Sequence, residues 1–263
     1  MDTKLLALAI EAAIKAGNKI MEIYETDDFD VDFKADDSPL TRADIASHEV
    51  INKHLFETNI PILSEEGREM SFAERKDWDQ LWVVDPIDGT KEFIKKNGEF
   101  TVNIALIDNQ IPILGVIYVP VLKELYYSSQ NHGAFKKTNV SSFDSMENMK
   151  SSSKRLPLNN QKRGYTVVAS RSHLTQETQE FIEQLRKEHG EVELISKGSS
   201  LKLCMVAEGA ADCYPRFAPT MEWDTAAGQA ICIHAGFDVI DWKTQTTMKY
   251  NRENLLNNWF LVK

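Results

Sequence analysis

Between Trp82 and Ser128 the chain lays down four short apolar runs in close succession, and that cadence dictates a sheet. Trp82-Val83-Val84 is continuous rather than alternating, the pattern of a strand buried on both faces. Phe100 to Ile107, Pro112 to Val119 and Glu124 to Ser128 then read as consecutive strands of an antiparallel sheet. Upstream, Ile60 to Leu63 is another short strand, leading into Ser64-Glu65-Glu66. Leu6, Ile10, Ala13, Gly17, Ile20 and Tyr24 recur at steps of four and three, which predicts a helix over 3–25 with one apolar stripe. Thr26 to Pro39 is polar and reads as a loop or a mobile hairpin. A second helix begins near Thr41, where Thr41 followed by Asp44 makes a capping-box-like start. Residues 138–163 are rich in Ser, Asn and Lys and serve as a connection. After them strands and helices alternate: strands at 165–169, 192–196, 211–214 and 259–262, helices at 175–188, 201–208 and 223–235. That alternation argues for an α/β second lobe.

The 263 residues suit one large domain or two fused lobes. Thirty basic against forty acidic side chains leave a formal charge of −10, which argues against a broad face for nucleic-acid polymers. A small phosphorylated ligand stays admissible, because a bound cation inverts the local charge. Cys204, Cys213 and Cys232 form an odd set without a Cys-x-x-Cys pair, and read as reduced thiols of a cytoplasmic protein rather than a zinc site. The first twenty residues carry charges throughout and read as neither signal peptide nor membrane span.

Chemistry concentrates in Asp85-Pro86-Ile87-Asp88-Gly89-Thr90. Two carboxylates three residues apart just past a buried strand face one point if the turn is stiff, and Pro86 stiffens it. The carbonyl of Ile87 is an acceptor there, Gly89 permits close backbone approach, and Thr90 stands where a helix would begin, with N–H groups that suit a phosphate. The donors are all oxygen, which suits Mg²⁺ rather than zinc or copper. On its own the hexapeptide also reads as an Asx-turn with Thr90 capping a helix. Glu65 adds a carboxylate at another strand end, where a solvated turn is the plain alternative. Asp224 opens an Ala-rich helix, a placement that also merely complements a helix dipole. Asp44 by itself is an ordinary helical acid.

Taken together, these runs resemble one family. Trp82 to Thr90, with Ser64-Glu65-Glu66 upstream and Trp223 to Ala227 downstream, resembles the inositol monophosphatase superfamily of lithium-sensitive, Mg²⁺-dependent phosphatases. Within it, Lys34 to Asp44, Thr90 to Ile107 and Gly198 to Cys204 look like the CysQ-type 3'(2'),5'-bisphosphate nucleotidases. The resemblance implies a layered αβαβα sugar-phosphatase fold, a mix of α+β and α/β. It divides into an antiparallel-sheet lobe over 1–137, the connection 138–163 and an α/β lobe over 164–263. It further implies that Glu65, Asp85, Asp88, Asp224 and the Ile87 carbonyl hold two or three Mg²⁺ ions. Gly89 and Thr90 would hold the scissile phosphate, and Asp44 with Thr90 would activate the attacking water. Ser170, His173, Gly198, Ser199 and Lys202 would contact an adenosine phosphate, alongside Glu65, Ile87, Asp88 and Asp224 at the phosphate itself.

The expected reaction is removal of the 3'-phosphate of adenosine 3',5'-bisphosphate, or of its sulfated form, by direct attack of water. A related inositol monophosphate or fructose 1,6-bisphosphate phosphatase is the competing expectation, since a metal centre reads a phosphate and not a base. A non-catalytic sensor of the same nucleotide is disfavoured, because Asp44, Glu65, Asp85, Asp88, Thr90 and Asp224 are all present. The partners expected are a small nucleotide, no integral membrane contact, at most peripheral contact at the inner face of the cell membrane, and a monomer or dimer.

Overall fold

The structure is a computed structural model that describes residues 2–26, 31–33, 39–158, 163–170 and 175–263. Its centre is a seven-stranded sheet in which chain order and spatial order coincide: β1 (Ile62–Ser64), β2 (Gln80–Asp88), β3 (Thr101–Asp108), β4 (Ile111–Val119), β5 (Glu124–Ser129), β6 (Gly133–Lys137) and β7 (Lys154–Arg155). The β1–β2 pair is parallel and every later pair is antiparallel. The near-continuous apolar runs have a simple cause. Successive side chains point to opposite faces, and both faces are covered. Trp82, Val84, Ile104, Leu106, Val116 and Tyr118 enter one core. Leu81, Val83, Ala105, Ile107, Ile117 and Val119 enter another. Each such side chain contributes about 1.5–3 kcal/mol by leaving water, so a charge at any of them would break a layer rather than decorate a surface.

The first core is closed by α1 (Asp2–Tyr24) and α2 (Arg42–Leu55). The apolar stripe of α1 is buried at Leu6, Ile10, Ala13, Gly17 and Ile20, as its spacing requires. Helix α2 starts on a complete capping box. Ala43 N–H donates to the Thr41 hydroxyl, and the Thr41 N–H donates to Asp44 Oδ2 at 2.8 Å. Ahead of it, Asp32–Phe33 pairs antiparallel with Pro39–Leu40, a hairpin whose intervening residues 34–38 lie outside the described residues. Two short helices interrupt later connections: α3 (Thr90–Ile94) follows β2, and α4 (Met146–Ser151) precedes β7 at the far edge of the sheet.

The second half adds α5 (Gln176–His189), α6 (Leu201–Ala207) and α7 (Glu222–Ala235). Helices α6 and α7 cover the other face of the large sheet through Leu203, Val206, Ala226, Ala227 and Ile231. Beyond them lie two small sheets. One pairs β8 (Tyr165–Ser170) with β9 (Val192–Lys197) in parallel. The other runs β10 (Tyr214–Arg216), β13 (Phe260–Val262), β11 (Val239–Asp241), β12 (Thr246–Thr247). A bridge between Val167 and Cys213 joins the two. Helix α5 closes the outside, with Ile182 and Leu185 against Val167, Val192 and Leu261. The result is the expected five-layer αβαβα stack. Cys204, Cys213 and Cys232 are free and buried. Among the described residues no helix is long and apolar enough to cross a membrane.

Several details differ from the sequence reading. Much of the stretch read as a connection belongs to the first half: Val140, and Met149 of α4, enter its core, and β7 is the seventh strand of the large sheet, next to β6, which also was not read. The strand at Trp82–Val84 does not end at Asp85 but continues to Asp88. The run 211–214 gives only the Cys213 bridge before β10 begins at Tyr214, while the hairpin of β11 and β12 has too few apolar residues to be read from pattern.

Candidate metal and phosphate centre

The continuation of β2 builds the site. In a regular strand, residues three apart point to opposite faces. Here the register slips by one: Asp85 lies opposite Asn103 and Asp88 opposite Thr101, so three steps on β2 match two on β3. A bulge of this kind re-aims side chains, and it turns both aspartates toward the side covered by α6 and α7. Pro86, which has no N–H to lose, sits inside the bulge. Its carbonyl accepts a hydrogen bond from Ser47 Oγ of α2 at 2.8 Å, which pins the irregular segment from behind.

Asp224, the third residue of α7, comes down on the same point. Its Oδ2 accepts the Met221 N–H at 2.8 Å, so one carboxylate oxygen caps its own helix. Asp85, Asp88 and Asp224 each offer an oxygen, and these atoms lie within 4.8 Å of one another. Glu65 follows β1 directly and donates its N–H to the Val84 carbonyl at 3.1 Å, beside Asp85. Burial first, then the charges of Glu65, Asp88, Asp224 and Asp44, push the Asp85 carboxyl well above the usual range. Burial raises Asp88 to about 6, held down by Lys202 and by hydrogen bonds from Ser200 and Asn103. Burial and the Asp88 charge raise Asp224 to about 8.

So many acids at one half-buried point destabilise each other unless a cation joins them. Asp85 Oδ1 is buried without a hydrogen-bond partner, a costly condition in a native fold. An all-oxygen donor set with one orphaned buried oxygen fits a hard divalent cation.

On the other side of this cluster, Thr90 starts α3 after Gly89, whose φ of +97° is a conformation that side chains with a Cβ rarely adopt. The Thr90 hydroxyl donates to Asp44 Oδ1 at 3.2 Å and lies 3.4 Å from the Ile87 carbonyl oxygen. Asp44 is itself fixed by the Thr41 N–H and hydroxyl. A cleft runs from Asp88, Gly89 and Asp224 past Ser170, Gly198, Ser199 and Lys202. His173, with its neighbours Arg171 and Ser172, lies outside the described residues. Lys202 is buried, and its ammonium donates to the carbonyls of Lys197, at 3.2 Å, and of Ser199. Burial lowers it to about 8, opposed by the charge of Asp88.

Arg216, Glu99 and Asn103 escaped the sequence reading, and Ser200, read only as part of the 198–202 stretch, also stands at the acids. Arg216, at the end of β10, lines the same cleft. Its Nη2 donates to the Pro219 carbonyl at 2.9 Å, and its Nε is buried without a partner. Glu99 accepts from the Gly198 N–H at 2.9 Å and from Lys197 Nζ at 3.2 Å, holding the cleft wall in place. Asn103 and Ser200 stand next to Asp88. Arg216 is a lone basic residue on a three-residue strand, and the others look like ordinary loop or strand polar residues, so no local pattern marks them.

The profile of the inositol monophosphatase family matches residues 1–261. The chain therefore belongs to the inositol monophosphatase family. Within that family, curated proteins similar to it over nearly the full chain include 3'(2'),5'-bisphosphate nucleotidases called CysQ. The Salmonella typhimurium protein is 45% identical over 98% of this chain and 99% of its own length. The Haemophilus influenzae protein is 31% identical over 100% and 93%. Among solved structures, CysQ from Bacteroides thetaiotaomicron superposes with a TM-score of 0.92 at 54% identity, covering 99% of this chain and 97% of that one. Thermotoga maritima IMPase, at 24% identity and a TM-score of 0.74, shares the fold.

Proposed function

We propose that this protein is a Mg²⁺-dependent nucleotidase that removes the 3'-phosphate of adenosine 3',5'-bisphosphate to give AMP and phosphate. The observation that carries this reading is one cleft lined both by acids able to hold cations and by the basic side chains of Lys202 and Arg216. A substrate with a single phosphate needs only the first. The names of the relatives support the same substrate class.

Glu65, Asp85, Asp88, Asp224 and the Ile87 carbonyl would hold two or three Mg²⁺ ions. Magnesium, when bound, supplies positive charge against the phosphate oxygens and makes a coordinated water more acidic. The Gly89 and Thr90 backbone cradles the scissile phosphate. Because the Thr90 hydroxyl spends its proton on Asp44, its oxygen is left as an acceptor. It takes a proton from the attacking water and passes its own to Asp44. The water oxygen bonds to phosphorus as the bond to the 3'-oxygen breaks, and that oxygen leaves with a proton from solvent. Ser170, Gly198, Ser199, Lys202, Arg216 and His173 are assigned to the nucleotide. Three buried free thiols suit a reducing cytoplasm.

Phosphate release measured with Mg²⁺ on adenosine 3',5'-bisphosphate, inositol 1-phosphate and fructose 1,6-bisphosphate tests the assignment. Adenosine bisphosphate should turn over fastest. Faster release from inositol 1-phosphate would overturn the substrate and leave the metal chemistry standing.

A further inference from the structure

Asn103 faces Asp85 across the β2–β3 ladder at the bulge, and only 1% of it is exposed. Its two amide ends do different work. Nδ2 donates to Asp88 Oδ2 at 3.4 Å, the long end of hydrogen-bond range. Oδ1 accepts from Thr101 Oγ1 at 3.1 Å and from Ser200 Oγ at 2.9 Å. The two hydroxyls also lie 2.8 Å apart. Ser200 immediately precedes α6 and follows Gly198 and Ser199 of the cleft wall, and its own backbone N–H reaches the Asp88 carboxylate. Thr101, Asn103 and Ser200 are all buried, which keeps water from the bonds among these three.

We infer that Asn103 is a positioning residue that orients the Asp88 carboxylate for metal and, through Ser200, ties the metal centre to the 198–200 wall of the nucleotide cleft. The inference rests on the assignment of Asp88 as a metal ligand. The physical reason is orientation. An aspartate side chain turns about two torsions, and the amide donor restricts that freedom. The amide is held against flipping by the Asp88 carboxylate, which only accepts, so that Nδ2 turns to it and the carbonyl end turns to the two hydroxyls. Partners of this kind around a metal ligand typically matter by ~10–100-fold in metal affinity. Because Ser200 belongs to both sides, nucleotide and metal should strengthen each other's binding reciprocally.

The test is calorimetric titration of Mg²⁺ into wild-type protein, Asn103→Ala and Ser200→Ala, each with and without AMP, alongside thermal unfolding of the metal-free proteins. Asn103→Ala should weaken Mg²⁺ by ~10–100-fold, with turnover recovering at raised Mg²⁺. Ser200→Ala, the milder change, should cost about 5-fold and remove the enhancement of Mg²⁺ binding by AMP. A purely structural role predicts a lower melting temperature with unchanged Mg²⁺ affinity, and that pattern in both variants overturns the inference. Absence of Mg²⁺ binding to the wild-type protein would instead sink the metal assignment beneath it.

Discussion

A single methyl group on β4 should reach the metal centre from below. Gly115 lies beneath α7, and a Cβ built there meets the Ala227 carbonyl oxygen at 2.4 Å and the Ala230 Cβ at 2.8 Å. Carbon–oxygen contacts settle at about 3.3–3.6 Å, so helix and strand must part by roughly 1 Å in Gly115→Ala. Ala227 is one turn from Asp224 on the same rigid helix. The Asp224 carboxylate therefore moves with it, whereas metal–ligand distances tolerate only about 0.2 Å. Overpacking of this size costs about 1–3 kcal/mol, or a fall of ~2–12 °C in a chain of this length. Without the contact the sign reverses, because Ala in place of Gly stabilises a compatible backbone by about 0.4–1 kcal/mol. Differential scanning fluorimetry gives the sign, and Mg²⁺ half-saturation of phosphate release should rise at least ~10-fold. A variant that melts as high as wild type refutes the packing. One that melts lower yet keeps its Mg²⁺ half-saturation refutes the coupling of α7 to the centre.

Asp88→Asn should keep the fold and lose nearly all phosphate release, since it removes a charge that the assignment gives to metal; near-native turnover would show the ligand set to be wrong. Arg216→Ala should raise KM for adenosine 3',5'-bisphosphate by ~10–100-fold, the worth of a charge-assisted bond, with a smaller change for inositol 1-phosphate; equal losses on both substrates would remove Arg216 from the nucleotide site. Asp224 is raised to about 8 and Asp88 to about 6 by burial and mutual charge. The folded chain thus holds protons that the unfolded chain has released, and stability falls as pH rises through that window. Mg²⁺ should then raise the melting temperature more at about pH 8 than at about pH 5, and an equal gain at both would contradict the buried acid cluster.

The strands and the first helix were legible because burial on two faces leaves continuous apolar runs, and burial on one leaves a stripe. The Thr41–Asp44 cap was legible because its bonds are local. Asp85 and Asp88 were legible as a pair, but not as members of one strand. Pro, Asp and Gly normally punctuate a strand's end, and what overrides them here is tertiary: the pairing to Thr101 and Asn103 and the bond from Ser47 to the Pro86 carbonyl. Arg216, Glu99, Asn103 and Ser200 owe their importance to what folds against them, more than a hundred residues away for some of these partners. No window on the sequence contains that information. The short strands β7, β11 and β12 have too few residues to carry a period.

The bulge in β2 also makes the centre a matter of parity. Positions on a strand are odd or even, and an odd interval between two ligands ordinarily sends them to opposite sides of a wall. One inserted step cancels the mismatch, so the interval of three between Asp85 and Asp88 and the slip at Pro86–Ile87 are a single invention in two parts. Deleting Ile87 would restore a regular ladder and a more conventional strand with both aspartates still on one face, but it would remove the re-aiming at the bulge and the Ile87 carbonyl that the assignment gives to the metal. A chain repaired in that sense would be locally better formed and chemically silent, which makes the irregularity, rather than the acids alone, the thing that a designer of such a centre must copy.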